Sequence, residues 1–245
     1  MNFDIPHLNF FRNKKGVYVK TLLLGSSVGA NIPIQKEHGF LSFVRPTENL
    51  VPLNNRLDKI LQSNITFDSV VICLDHHGLY HVKSDKFLFI QHPLLSASSW
   101  FKYYYSLICW VYRLTLRPDS WKMYTYRWDD KSNQLFIDFN SGYTFVTIDL
   151  YSRSKKYIEK EFLELLQKIV FKLKACGAKK VIWAHPPSKE EKISKYDKKM
   201  IQDVGMEYVD CSKIDLIGES GFYDSVHYNV SVGEKFYEEL LKILR

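Results

Sequence analysis

The stretch VYVKTLLLGSSVGANIP, residues 17–33, decides how this chain folds. Its first eight residues, VYVKTLLL, form an apolar run rich in strand formers and read as a buried strand. The run stops at Gly25-Ser26-Ser27 and is followed by VGANIP. A buried strand that ends in this way and turns into a helix presents a hydroxyl at the carboxyl edge of a parallel sheet, where open α/β sheets hold their ligands. Backbone N–H groups at the start of the following helix suit a developing oxyanion. Taken alone, a Gly-Ser turn reads more readily as a plain loop with a capping serine.

The flanking sequence supplies the rest of a sheet. Phe40 to Val44 is a second strand candidate, and Leu53, Leu57, Ile60 and Leu61 fall at helical spacing. FDSVVICL, residues 67–74, is a third strand rich in β-branched residues. The first 75 residues therefore read β-α-β-α-β, the rhythm of a parallel sheet with crossover helices. The rhythm returns near the carboxyl end. Ile158, Phe162, Leu165, Leu166, Ile169 and Leu173 make an apolar helical stripe, and Gly177 is placed to end that helix. KKVIWA, residues 179–184, is a strand cut off by His185-Pro186-Pro187, and Met206 to Val209 is another. The last helix has Phe236, Leu240 and Ile243 on one face, with Ser231 and Glu234 as its capping box. The expected fold class is a three-layer α/β/α sandwich with a parallel central sheet, read as a single domain over residues 1–245.

Residues 81–145 interrupt the pattern and hold Trp100, Trp110, Trp121 and Trp128. DDKSNQ is a turn signal followed by strand-like LFIDF and YTFVTIDL. This is an aromatic-rich insertion in the frame. Its tryptophans read as the insertion's own core, or as the lining of a sugar or acyl pocket in which Arg113, Arg117, Lys122 and Arg127 meet an anionic glycan.

Composition narrows the classes. The chain has 245 residues, 46% hydrophobic and 25% charged, ordinary values for a globular domain. No run reaches the roughly 18 apolar residues of a membrane span, so no transmembrane segment is expected, though peripheral membrane contact is compatible with the aromatics. The formal charge of +7 is scattered among acidic residues, with no nucleic-acid arm. Cys73, Cys109, Cys176 and Cys211 lack CxxC spacing and read as reduced. With no secretory pattern in MNFDIPHLNFFRNKKG, the expected location is cytoplasmic.

The second chemical signal lies 200 residues from the first, in Asp224-Ser225-Val226-His227-Tyr228-Asn229, just before the last helix. A nucleophilic serine needs a general base within hydrogen-bond reach, and the base needs a group to orient it. An Asp three residues before a His supplies both. Together, Gly25-Ser26-Ser27, Asp224-x-x-His227, the ending FYDSVHYNVSVGEKFYEEL and the stretch GAKKVIWAHPP resemble the SGNH (GDSL-like) hydrolase and acyltransferase family over roughly residues 1–80 and 150–245. The resemblance implies Ser27 as nucleophile, with Ser26 in place of the usual Asp, and Asp224 and His227 as its partners. It implies a serine-dependent esterase or O-acyltransferase acting on an acyl ester, O-acetyl above all, of a carbohydrate or other small molecule, with no metal or organic cofactor.

The sequence departs from the family where the oxyanion donors belong. The second block reads Val44-Arg45-Pro46-Thr47-Glu48-Asn49 without the family's Gly, leaving Thr47 as a candidate oxyanion or substrate contact. The third reads Leu74-Asp75-His76-His77-Gly78, so the family's Asn position falls on His76 or His77. A neutral imidazole donates one hydrogen bond, and the N–H of Ser27 remains. Asn229 is a further candidate substrate contact. Two rival readings stand beside this one: a metal-dependent phosphoesterase using Asp75, His76 and His77 with His81 nearby, and a catalytically inactive binding protein on the same fold.

Overall fold

The computed structural model describes residues 16–34, 38–45, 48–75, 80–81, 123–129, 134–139, 145–146, 155–156, 159–189, 193–212, 214, 221–222 and 227–245. Strands are β1 (Tyr18–Gly25), β2 (Phe40–Val44), β3 (Thr66–Cys73), β4 (Tyr80–His81), β5 (Met123–Asp129), β6 (Gln134–Phe139), β7 (Phe145–Val146), β8 (Lys155–Lys156), β9 (Lys180–His185) and β10 (Glu207–Asp210). Helices are α1 (Leu50–Gln62), α2 (Glu159–Ala175), α3 (Lys195–Asp203) and α4 (Val230–Ile243).

Five strands make the central sheet in the order β10-β9-β3-β1-β2, every neighbouring pair parallel. Alternate residues of each strand bury on opposite faces, as a pleated strand requires. Leu22, Leu24, Leu41, Phe43, Val70, Ile72, Val181 and Trp183 enter one core, against Leu53, Leu57 and Ile60 of α1, Leu166 and Ile169 of α2, and Met200 and Ile201 of α3. Leu23, Val44, Val71, Cys73, Ile182 and Ala184 enter the other, against Phe236 and Leu240 of α4 and Val28, Ala30 and Ile32 of the first crossover. The three-layer parallel α/β fold expected from the sequence is the one observed. Its strand order is the flavodoxin-like one, in which the chain winds one way from β1 to β2 and the other way from β2 through β3 and β9 to β10. Right-handed crossovers then fall on opposite faces on either side of β1.

Several local expectations are corrected. After Ser26 the chain makes only a 3-10 turn, Ser27–Gly29. A helix cannot continue because Asn31 sits at φ 61° and Ile32 precedes Pro33, which disfavours helical backbone. α4 is capped by Asn229, whose Oδ1 accepts from the Val232 N–H at 3.1 Å. Ser231 and Glu234 therefore fall inside the helix, and the Ser231–Glu234 capping box is not formed. α3 escaped the sequence reading because its residues are mostly polar. Its signal is Ser194-x-x-Asp197, where the Ser194 hydroxyl accepts from the Asp197 N–H at 3.1 Å. Gly177 ends α2 as expected: at φ 98° it donates to Lys174 O while Ala178 donates to Leu173 O, the paired bonds of a Schellman cap.

On either side of the segment that interrupts the pattern, β4 and β8 pair antiparallel. β5 pairs β6 and, on its other edge, β7, in an antiparallel sheet separate from the central one. LFIDF lies within β6, whereas β5 was overlooked although Tyr124, Tyr126 and Trp128 alternate with Thr125 and Arg127. The Gln134 amide donates to Ile34 O at 2.8 Å and fastens β6 to the first crossover. Trp100, Trp110, Trp121, Arg113, Arg117 and Lys122 lie outside the described residues. No helix among the described residues is long and apolar enough to cross a membrane.

Gly25, the last residue of β1, has φ 150°, and a Cβ added there would lie 2.1 Å from the Cys73 carbonyl oxygen. Gly16 also has a positive φ, 74°, but open space around it. Gly25→Ala should therefore lose more than the roughly 1–3 kcal/mol of ordinary overpacking, because the obstacle is backbone. Gly16→Ala should lose only the roughly 1–2 kcal/mol of left-handed strain. Urea unfolding of both variants checks this, and equal losses would refute the close approach at Gly25.

Candidate active site

Ser27 follows β1 at the point where the winding direction reverses, so its neighbours in the sheet lead away on both sides. Strand β1 is held at its end by Gly25 pairing with Val44 and with Cys73. The Ser26 N–H donates to Cys73 O at 3.2 Å, and Gly29 and Ala30 donate to Ser26 O and Ser27 O at 2.9 and 3.0 Å. The N–H groups of Ser27 and Val28 have no backbone acceptor among the described residues. Successive N–H groups of a turn are the kind of donor that suits a ligand oxygen. Behind them Gly29 packs so tightly that a Cβ there would meet Val44 Cγ2 at 2.9 Å and Cys73 Cβ at 3.3 Å.

The second half of the site arrives from the far end of the chain. Ser27 Oγ lies 2.8 Å from His227 Nε2, and both residues are half-buried. This is the separation a serine needs from its base. It spans 200 positions of sequence, so it is a product of the fold and not of local geometry.

Three further contacts set it. The Asn31 side-chain amide donates to Tyr228 O at 2.7 Å in the interior. The Tyr228 hydroxyl donates to Val28 O. Gly233, in the first turn of α4, lies under Asn31 so closely that a Cβ would stand 1.9 Å from the Asn31 carbonyl oxygen. The His-bearing segment is thus stitched on both sides of the histidine's successor to the turn that carries Ser27. Tyr228 also pairs with Phe222 in a short antiparallel bridge, and the Asn229 N–H donates to Gly221 O at 2.9 Å.

Of the residues singled out in the sequence, the structure brings Ser27 and His227 together. Asn229 stands two positions beyond His227 with its side-chain oxygen engaged as the α4 cap. Ser26 is buried behind the turn. Asp75 is buried just beyond β3. Asp224, Thr47, His76 and His77 lie outside the described residues. Asn31 and Tyr228 were missed by the sequence reading. An Asn ahead of Ile-Pro is a signal for positive φ, but nothing in the sequence states where its amide points.

The surroundings are dry. Burial pushes the Cys73 thiol well above its usual range, with Cys211 and Asp75 adding to the effect. Burial raises Cys211, in the same core, to about 12; in the other core, beside the start of β3, burial raises Cys176 to about 11. Tyr228 is likewise raised well above the ordinary phenol value, by burial first and then by the two thiols near it.

The sequence matches no protein-family model and no curated protein. Among solved structures it is similar to protein YxiM from Bacillus subtilis, at 13% identity and a TM-score of 0.47. The likeness covers 93% of this chain and 57% of that one, so the chain spans little more than half of that protein's length. Fold and site together define an open, doubly wound α/β sandwich with a hydrogen-bonded Ser-His pair at its switch point.

Cys73, Cys176 and Cys211 are free and buried. Since only the thiolate is alkylated and each pKa is raised, all three should resist iodoacetamide in the folded protein at pH 8. They should react within minutes once unfolded in urea, where their values return to about 8.5. Peptide mass mapping checks this. Rapid native modification of Cys73 would contradict the dry wall behind Ser27.

Proposed function

We propose that the chain is a serine-dependent ester hydrolase or acyltransferase of the SGNH type, with Ser27 as nucleophile and His227 as general base. The observation that carries this reading is the 2.8 Å contact between Ser27 Oγ and His227 Nε2 at the sheet's switch point, where α/β folds bind substrates. The residues suit one sequence of steps. Ser27 Oγ attacks the ester carbonyl while its proton passes to Nε2. The carbonyl becomes an oxyanion facing the N–H groups of Ser27 and Val28. As the carbon–oxygen bond to the leaving alcohol breaks, Nε2 returns the proton to that oxygen, leaving an acyl group on Ser27. Water or an acceptor hydroxyl then gives its proton to His227, attacks the acyl carbon and frees Ser27.

Asp224 is proposed to hold His227 in the tautomer that leaves Nε2 free to accept. His76 or His77 is proposed to add a side-chain donor to the oxyanion. The substrate proposed is an acyl ester, above all O-acetyl, on a carbohydrate or small molecule. Scattered rather than clustered positive charge argues against a nucleic-acid ligand.

The test is labelling by a fluorophosphonate together with turnover of p-nitrophenyl acetate. The wild type should be labelled on Ser27. Ser27→Ala should lose labelling and turnover while keeping its fold, whereas Ser26→Ala should be milder. His227→Ala should lower kcat more than Asp224→Asn, since it removes the base itself. One of His76→Ala and His77→Ala should lower kcat about 10²–10³-fold, the usual loss for one oxyanion donor. An unlabelled wild type, or full turnover by Ser27→Ala, would refute the proposal.

A further inference from the structure

We propose that Asn31 is a positioning residue that sets the distance between Ser27 and His227; this rests on the reading of those two residues as nucleophile and base. Asn31 lies four positions after Ser27 and is buried in the second core's layer. Its amide donates at 2.7 Å to the carbonyl of Tyr228, the residue that follows His227. The tie holds the backbone of Tyr228, and through the peptide that joins Tyr228 to His227 it restrains where the His227 backbone, and with it the imidazole, stands.

Two independent demands select the residue at this position. The backbone stands at φ 61°, which Gly, Asn and Asp tolerate best. The side chain must also donate to a buried carbonyl, which Gly cannot do and an ionised Asp cannot do. Asn alone among these three meets both. Its own carbonyl is covered by Gly233, so the amide acts from a fixed platform: the peptide at 31 is clamped by α4 while its side chain reaches the segment that leads into α4. A shift of about 1 Å in catalytic geometry costs up to about 10²-fold in rate, so a tie of this kind can govern turnover without touching substrate.

The experiment measures the second-order rate of fluorophosphonate labelling per folded molecule, with the folded fraction fixed by near-ultraviolet circular dichroism. Asn31→Gly keeps the backbone conformation and deletes the donor; Asn31→Asp keeps the side-chain shape and replaces the donor with an acceptor. Both are made in the wild type and in a His227→Ala background. In the wild type, each should slow labelling and kcat on p-nitrophenyl acetate about 10–10²-fold, with KM within about twofold. In His227→Ala neither should slow the residual labelling further, because the tie acts through the imidazole. An unchanged rate per folded molecule, or equal loss in both backgrounds, would overturn the proposal while leaving the Ser27 and His227 assignment standing. Failure of both variants to fold would mean that Asn31 serves the fold itself and would overturn it as well. Absence of labelling in the wild type is a different result: it removes the assignment of Ser27 and His227, and this proposal with it.

Discussion

β1 is hydrogen-bonded on both sides, to β2 and to β3, and the chain leaves it in one direction and returns across it in the other. That reversal is the constraint from which the rest follows. Crossovers of one hand must then lie on opposite faces of the sheet. Here the first crossover goes to the face that α4 covers, while α1, α2 and α3 fill the other. In open sheets of this topology such a reversal is where ligands bind, at the carboxyl ends of the strands. Among the described residues α4 is the helix on the crossover's face, and the His227 segment leads into it, so the layer that packs the turn after β1 also delivers the histidine.

The close contacts at that junction explain why small and amide residues are found there. Gly25 admits the Cys73 carbonyl, Gly29 admits Val44 and Cys73, and Gly233 admits the Asn31 peptide. Each is a place where backbone or core side chains approach too closely for a Cβ. The polar groups trapped by this packing are paired: Tyr228 with Val28, Asn31 with Tyr228. An unmade bond at such depth costs about 1–3 kcal/mol, so this network resists the small displacements that would part Ser27 from His227.

The sheet was legible because its strands are continuous apolar runs with clear ends. VYVKTLLL, FDSVVICL and KKVIWA each lie within one or two residues of an observed strand. The first crossover was misread because strand–Gly-Ser-Ser–helix is the commoner pattern, and only the left-handed Asn31 and Pro33 argue against it. α3 was invisible to a periodicity argument because Met200 and Ile201 are its only buried apolar residues. At the site, Ser27 and Asp224-x-x-His227 stood out as residue types suited to one chemistry. The approach of Ser27 to His227 in space is a tertiary fact that no spacing encodes, and the same holds for the amide of Asn31.

The central claim is that Ser27 Oγ and His227 Nε2 form a working pair, and the Ser27→Cys variant reads that pair directly. A thiol beside an imidazole ionises early, as a thiolate–imidazolium pair, whereas a free thiol ionises near pH 8.5. The measurement is the rate of iodoacetamide modification at position 27 as a function of pH, located by peptide mass, in Ser27→Cys alone and combined with His227→Ala. The account predicts a midpoint well below 8.5 in the first and its return to 8.5 or above in the second. The same midpoint in both proteins would mean that His227 does not act on position 27, and would contradict the account.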